Sequence, residues 1–398
     1  LNPRYLRYLL AVALAALAMG IQIVLLPWMA AGQLQATPQQ LGWVQSAALL
    51  PAMLLMLLGG AYADRPGALR VLPWFYLLLA LSHGLMISVN LSGLLSLGLL
   101  MVYGLALGSS NAFIQPLRDR ALPGVLGQEQ GLQRPVVQIS LCVYVAQALG
   151  VALAGQMQWL GVHWLLAIQC LALLGTAALL MTNGPLPAPK TSDASKQVTI
   201  LQGLAFVWRH HVLRHLTLLV GFNGFVHLGV FVVALPLLAR DVYGQGAAYF
   251  SALQLVFVCG NVAATLGLLR RGGVEQPGRS VLFCLLYAGL IMLAISAKPT
   301  QQGLFMLVFA WGVVAGVSAS MGKSLLQQQT DDAYRGRALS LYQLALFGAA
   351  PLGALVCGYA VDLFGALQLF QYGGLATLLL FVVYLGVRPL WKIAPVVQ

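Results

Sequence analysis

Twelve apolar runs dominate this chain, near residues 7–30, 40–62, 71–90, 94–116, 134–155, 163–182, 212–238, 248–269, 280–297, 303–326, 338–359 and 369–388. Crossing about 30 Å of hydrocarbon takes roughly 20 helical residues, and each run supplies that length. Only 8% of the residues are charged, whereas an ordinary soluble domain carries about a quarter. The chain therefore reads as an all-α integral membrane protein with twelve transmembrane helices.

The distribution of charge fixes how the spans alternate. With the N-terminus inside, 19 of the 21 lysines and arginines fall in inside segments, and only Arg240 and Lys298 lie outside. A miscounted helix in the middle would scramble that asymmetry, so both termini are expected to be cytoplasmic. The formal charge of +12 is dispersed among apolar spans rather than gathered on one face, which argues against nucleic acid as a partner. Cys142, Cys170, Cys259, Cys284 and Cys357 all fall within spans without metal-ligand spacing. They imply neither a disulfide framework nor a zinc site. The first run is too long for a cleaved signal peptide and is kept as the first helix.

Prolines, Ser192, Asp193 and Lys196 replace apolar residues between Asn183 and Gln197, marking a linker between two halves. The next segment, 200–213, places Leu201, Leu204, Ala205 and Trp208 on one side, while Arg209, His210, His211 and Arg214 crowd its end. That pattern predicts a basic amphipathic helix on the inner membrane surface. The predicted domains are a six-helix bundle over 1–182, a cytoplasmic linker with its interfacial helix over 183–211, and a second six-helix bundle over 212–398. Six further spans repeat the plan of the first six. The hinge around Gly267, Arg270, Arg271, Gly272 and Gly273 echoes residues 60–70, and the segment 327–337 corresponds to 118–134. Two pseudo-symmetric bundles with facing charge clusters suit a rocking transporter.

The hinge 59–70 is the most specific motif. Gly60 is expected to let two helices approach closely, Gly67 to allow a positive-φ turn, and Asp64 to meet a helix N-terminus or an arginine. Glycine, three residues, then Asp-Arg-x-Gly resembles the loop between helices 2 and 3 of the major facilitator superfamily. With Phe-Val-Trp-Arg-His at 206–210, and Tyr334 to Ser340 followed by Gly348, Pro351, Gly353 and Gly358, the chain resembles the bacterial branch of enterobactin and drug exporters. Two features of proton-coupled members are absent: an arginine inside helix 4, which is predicted to end at Pro116, and a Gly-Pro pair late in helix 5. The nine acidic residues all fall in loops or at helix ends. No carboxylate is expected at mid-membrane, the usual depth of proton relays.

The resemblance implies that helices 1, 4, 7 and 10 line a central cavity with 2, 5, 8 and 11 beside them, and that helices 3, 6, 9 and 12 pack outside. The implied substrate contacts are Gln22, Gln45, Asn111, Gln138, Tyr144, Asn223, His227, Gln254, Asn261, Trp311, Tyr342 and Gln343. His83 and Gln169, on helices 3 and 6, are set aside by the same resemblance. Gly60, Asp64, Arg65, Gly67, Arg118, Asp331, Arg335 and Arg337 are the gate residues. Asn223 and His227 share a helix face. An unperturbed histidine titrates near pH ~6.5, which makes His227 the central candidate for a titrating group, whereas burial without a partner would leave it a neutral, hydrogen-bonding wall of the cavity. The cavity so described is neutral and amide-rich, suited to a small amphipathic, siderophore-like or drug-like molecule. The chain is read as a monomeric exporter working by alternating access, with lipids and protons as further partners. An importer of the same fold and a lipid flippase are the alternatives. No nucleophile, metal cluster or phosphate loop occurs, so no enzyme and no cofactor is expected.

Overall fold

The computed structural model describes residues 3–63, 65, 67–126, 133–183, 200–270, 276–330, 332–386 and 390–391. Six long helices make up the first half: α1 (Pro3–Trp28), α2 (Pro38–Ala63), α3 (Leu72–Leu91), α4 (Leu97–Leu126), α5 (Gln133–Gly155) and α6 (Val162–Thr182). A surface helix, Ile200–Arg209, precedes the second half. There α7 covers His211–Val242, followed by α8 (Ala247–Arg270), α9 (Pro277–Ser296), α10 (Gln301–Gln328), α11 (Asp332–Phe364) and α12 (Ala366–Gly386). Among the described residues eleven helices are long and apolar enough to cross a membrane, and α5 is apolar over Leu141–Gly155.

The helices form two compact units. One comprises Leu1–Asp193 with Gly244–Ala252, the other Ala194–Tyr243 with Leu253–Gln398. In the first, α1 packs on α5 and α6, α2 on α4, and α3 on α6; in the second, α7 packs on α11, and α9 on α10 and α12. Glycines bring these backbones together. A Cβ on Gly20 of α1 would lie 2.1 Å from the Gln147 carbonyl oxygen, and one on Gly353 of α11 would lie 2.0 Å from that of Phe225. Such seams are how helices associate in lipid, where apolar burial contributes little between them.

The backbone carries the duplication more plainly than the side chains do. α3 and α9 are each 20 residues long, and two residues past each end the chain takes positive φ, at Gly93 and Lys298. α6 and α12 are each 21 residues and follow positive-φ glycines, Gly161 and Gly365. Gln35 and Gly244, each three residues before the next helix, have φ of 50° and 61°. Pro27 and Pro236 occupy matching places, and each is followed by a π-helical turn, Met29–Gln33 and Leu238–Val242. Proline removes one amide donor from the helix ladder. A shift to i→i+5 bonding carries the helix on past it, so Pro27 does not end α1 as a hydrogen-bond count alone would suggest.

Three expectations are corrected. α4 runs through Pro116 to Leu126, so Arg118 lies inside a helix rather than in a loop. Pro116 cannot donate to the Ala112 carbonyl, and that oxygen faces Gly59 of α2, where a Cβ would come within 2.2 Å. Gly59 therefore makes the close approach expected of Gly60, which has nothing within 4 Å. The amphipathic segment stops at Arg209, because His210 turns extended (ψ 111°) and its ring accepts the Leu213 N–H, capping α7. Within the surface helix Val207 is buried and Trp208 exposed, and Phe206 stacks on Tyr334 at 4.4 Å.

Candidate functional site

In the first unit a cavity of about 70 Å³ opens among α1, α3, α4, α5 and α6, room for a few waters. Gln22, Asn111, Gln115, Gln147 and Arg118 bring amides and one guanidinium to its wall, and His83 lines it from α3. The Tyr103 hydroxyl of α4 donates to Gln22 Oε1 at 3.0 Å, while Gln22 Nε2 is buried with no partner. A buried amide donor without an acceptor carries a desolvation cost of roughly 1–3 kcal/mol. A ligand or water in the cavity would remove that cost.

Arg118 enters this wall because α4 continues past Pro116. Tyr8 of α1 donates to the Arg118 carbonyl at 2.8 Å and fixes the backbone there. Its guanidinium is 3.9 Å from Asp119, whose side chain is 68% exposed, a pairing worth about 0–1 kcal/mol. This cavity thus carries amides and a guanidinium on its wall, and of the expected substrate contacts it brings together Gln22 and Asn111.

The remaining expected contacts are spread over both units. In the first, Gln45 is buried, Tyr144 is half-buried, and Gln138 is exposed, accepting from Tyr5 at 2.9 Å. In the second, Gln254 and Tyr342 are buried, and Asn223, Asn261 and Gln343 are half-buried. His227 and Trp311 point into the interior of their own unit. The His227 Nε2 is 3.2 Å from the Thr377 hydroxyl of α12, and the Trp311 ring meets His227, Phe231, Phe257 and Phe370. Asn223 and His227 both belong to a π-helical turn, Asn223–Leu228, which changes the i, i+4 facing assumed for an α-helix.

Of the gate residues, Gly67 takes φ 77° as its turn requires, and Arg65 is exposed with its guanidinium 5.6 Å from the Tyr62 ring. Arg337 is half-buried near the start of α11. Asp64 and Asp331 lie outside the described residues, as does most of the linker 183–199, and Arg335 is described only as part of α11. Among the described residues no group of three or more histidines, cysteines or carboxylates could hold a metal.

His83 and Gln169, which the sequence reading set aside, line the interior of the first unit. Their signal was available only through the fold: periodicity cannot say that a histidine on an outer helix faces inward.

Three comparisons place this architecture among known proteins. A family model described as transmembrane secretion effector matches residues 4–392. The multidrug efflux pump Tap of Mycobacterium tuberculosis is 24% identical over 387 residues, covering 92% of this chain and 88% of that protein. The staphyloferrin A transporter of Staphylococcus aureus is 24% identical over 362 residues, covering 86% of each. Among solved structures, the nucleoside transporter NupG superposes with a TM-score of 0.76 at 12% identity, covering 99% of this chain and 100% of that one. The human organic anion transporter MFSD10 gives 0.69 at 17% identity, covering 96% and 100%.

Proposed function

The chain belongs to the transmembrane secretion effector family of the major facilitator superfamily, and we propose that it exports a small amphipathic organic molecule across a bacterial inner membrane by alternating access. It is a secondary transporter, not an enzyme. The observation that carries the finer reading is the cavity of the first unit, whose described lining includes Gln22, Asn111, Gln115, Gln147 and Arg118. At about 70 Å³ the cavity has room for one polar moiety of such a molecule, not for the whole of a drug-sized ligand, which needs roughly 300–1,000 Å³. Ala15, Met19, Leu107, Ile114 and Val143 supply apolar wall beside its amides. The efflux function of Tap and the siderophore function of the staphyloferrin A transporter support an organic cargo.

Substitution within the cavity tests this. Gln22→Leu and Asn111→Leu should each weaken binding of the fluorescent amphipathic carboxylate norfloxacin about tenfold, while Gln138→Leu, on an exposed side chain, should change it less than twofold. Fluorescence titration of purified protein reads both. Equal affinities across all three variants would remove the cavity from substrate recognition.

A second prediction concerns the polar pair behind that wall. Tyr103→Phe deletes the donor to Gln22 Oε1 and keeps the ring. Interhelical hydrogen bonds in lipid average ~0.6 kcal/mol, so the expected loss of stability is about that size. A fall of many degrees in melting temperature would show that this pair does more than join α1 and α4.

A further inference from the structure

Behind the substrate cavity, the environment of His83 is built for a proton. The ring is 3% exposed, and its Nδ1 lies 2.6 Å from the Leu79 carbonyl oxygen. A carbonyl only accepts, so Nδ1 carries a hydrogen and a neutral ring must present a bare lone pair at Nε2. Burial disfavours the charged ring, and the carboxamide of Gln169 on α6 works against that cost. Its Nε2 donates to the Ala18 carbonyl at 3.3 Å, and its Oε1 is left buried with no donor. The surroundings thus offer two oxygen acceptors to a ring that, when neutral, has one N–H. A second ring proton supplies the missing donor.

The duplicated unit shows that packing does not demand this polarity. His83 is the twelfth residue of α3, and the twelfth residue of α9 is Ala288; Gln169 is the eighth of α6, and the eighth of α12 is Gly373. The same helix triad closes there with small apolar residues at both places. Conversely, nine residues before the matching prolines, Ala18 stands in α1 and His227 in α7. His227 already has the Thr377 hydroxyl as its partner, whereas the Gln169 oxygen has none.

We propose that His83 is the proton-binding site of this transporter, reached by water through the cavity and stabilised when charged by the Leu79 and Gln169 oxygens. The proton passes from a hydronium in the cavity to Nε2, leaving water, and returns to water when the opposite side of the membrane is presented. The titratable groups facing this region are Tyr76 of α3, Tyr103 and Arg118 of α4 and Cys170 of α6; α1 contributes the uncharged Ala18 and Gln22. Among the described residues no carboxylate lines the cavity. This inference rests on the exporter reading for its purpose, though not for its chemistry.

Two measurements test it on the full chain in lipid nanodiscs and in everted vesicles. In ¹⁵N-histidine spectra, one ring should vanish in His83→Gln and should pass from neutral to imidazolium between pH 8 and 5 in the wild type. Gln169→Glu, which sets a negative charge beside the ring, should move that transition up by about a unit or more. In everted vesicles with an acid interior, His83→Gln should lose tenfold or more of its gradient-driven norfloxacin accumulation. A ring that stays neutral to pH 5 in both wild type and Gln169→Glu overturns the proposal, as does undiminished accumulation by His83→Gln. Should His83→Gln fail to fold, the Gln169→Glu shift decides alone. If the wild type moves no norfloxacin, the exporter reading fails on that arm, while the ring titration still judges the site.

Discussion

Gly353→Leu should yield no monodisperse folded protein, whereas Gly60→Ala should fold as the wild type. At Gly353 an added Cβ would sit 2.0 Å from the Phe225 carbonyl oxygen and 2.8 Å from its carbon. Both are backbone atoms, so no rotamer change can relieve the clash and α7 must move off α11. The same seam holds Gly224 against the Leu346 backbone and Gly229 against the Gly353 backbone, and separation would open all three contacts together. Overpacking typically costs about 1–3 kcal/mol, and a rigid backbone partner puts this site at or beyond the upper end. Gly60 has nothing within 4 Å, and alanine there gains roughly 1 kcal/mol of helix propensity. Fluorescence-detected size exclusion with thermal challenge reads the difference. A Gly353→Leu variant as stable as the wild type would mean that the α7–α11 seam is not load-carrying.

Arg118→Gln is expected to reduce transport of norfloxacin tenfold or more while changing that of uncharged chloramphenicol less than twofold. Among the described residues the guanidinium is the one charged group on the cavity wall. Its nearby carboxylate, Asp119, is 3.9 Å away and mostly solvated. Removing one partner of a buried, charge-assisted hydrogen bond costs about 2–5 kcal/mol at interfaces, and tenfold corresponds to 1.4 kcal/mol, so the expectation is modest. The fold should survive, because Tyr8 donates to the Arg118 carbonyl rather than to its side chain. Arg118→Lys keeps the charge and should restore part of the carboxylate flux. Equal losses for both compounds would instead assign Arg118 to the conformational cycle.

The spans were legible because apolar length is a one-dimensional property, and the expected starts at 40, 71 and 163 fall within two residues of α2, α3 and α6. Pro116 misled because proline is read as a terminator. In α4 its missing N–H is tolerated, since the orphaned Ala112 oxygen lies against Gly59. That one misreading moved Arg118 from a helix to a loop. The histidines were harder to sort. Assigning helices to a lining or an outer ring speaks to the helix, not to the residue: His227 on a lining helix turns inward to Thr377, and His83 on an outer one lines the cavity. The π-turns of α1 and α7 shift side-chain facing by a fraction of a turn, which a 3.6-residue period cannot anticipate.

Export of an organic molecule against its gradient is the central claim, and paired vesicles test it most directly. Everted membrane vesicles with an acid lumen and right-side-out vesicles in acid medium, so that the periplasmic face is the acid one in both, would be given norfloxacin from outside and followed by fluorescence. The account predicts accumulation in everted vesicles, collapse of that accumulation when the gradient is dissipated, and no scrambling of fluorescent lipid by the purified protein. Accumulation in right-side-out vesicles alone would make the chain an importer, and lipid scrambling without movement of any soluble compound would contradict the transporter of organic solutes described above.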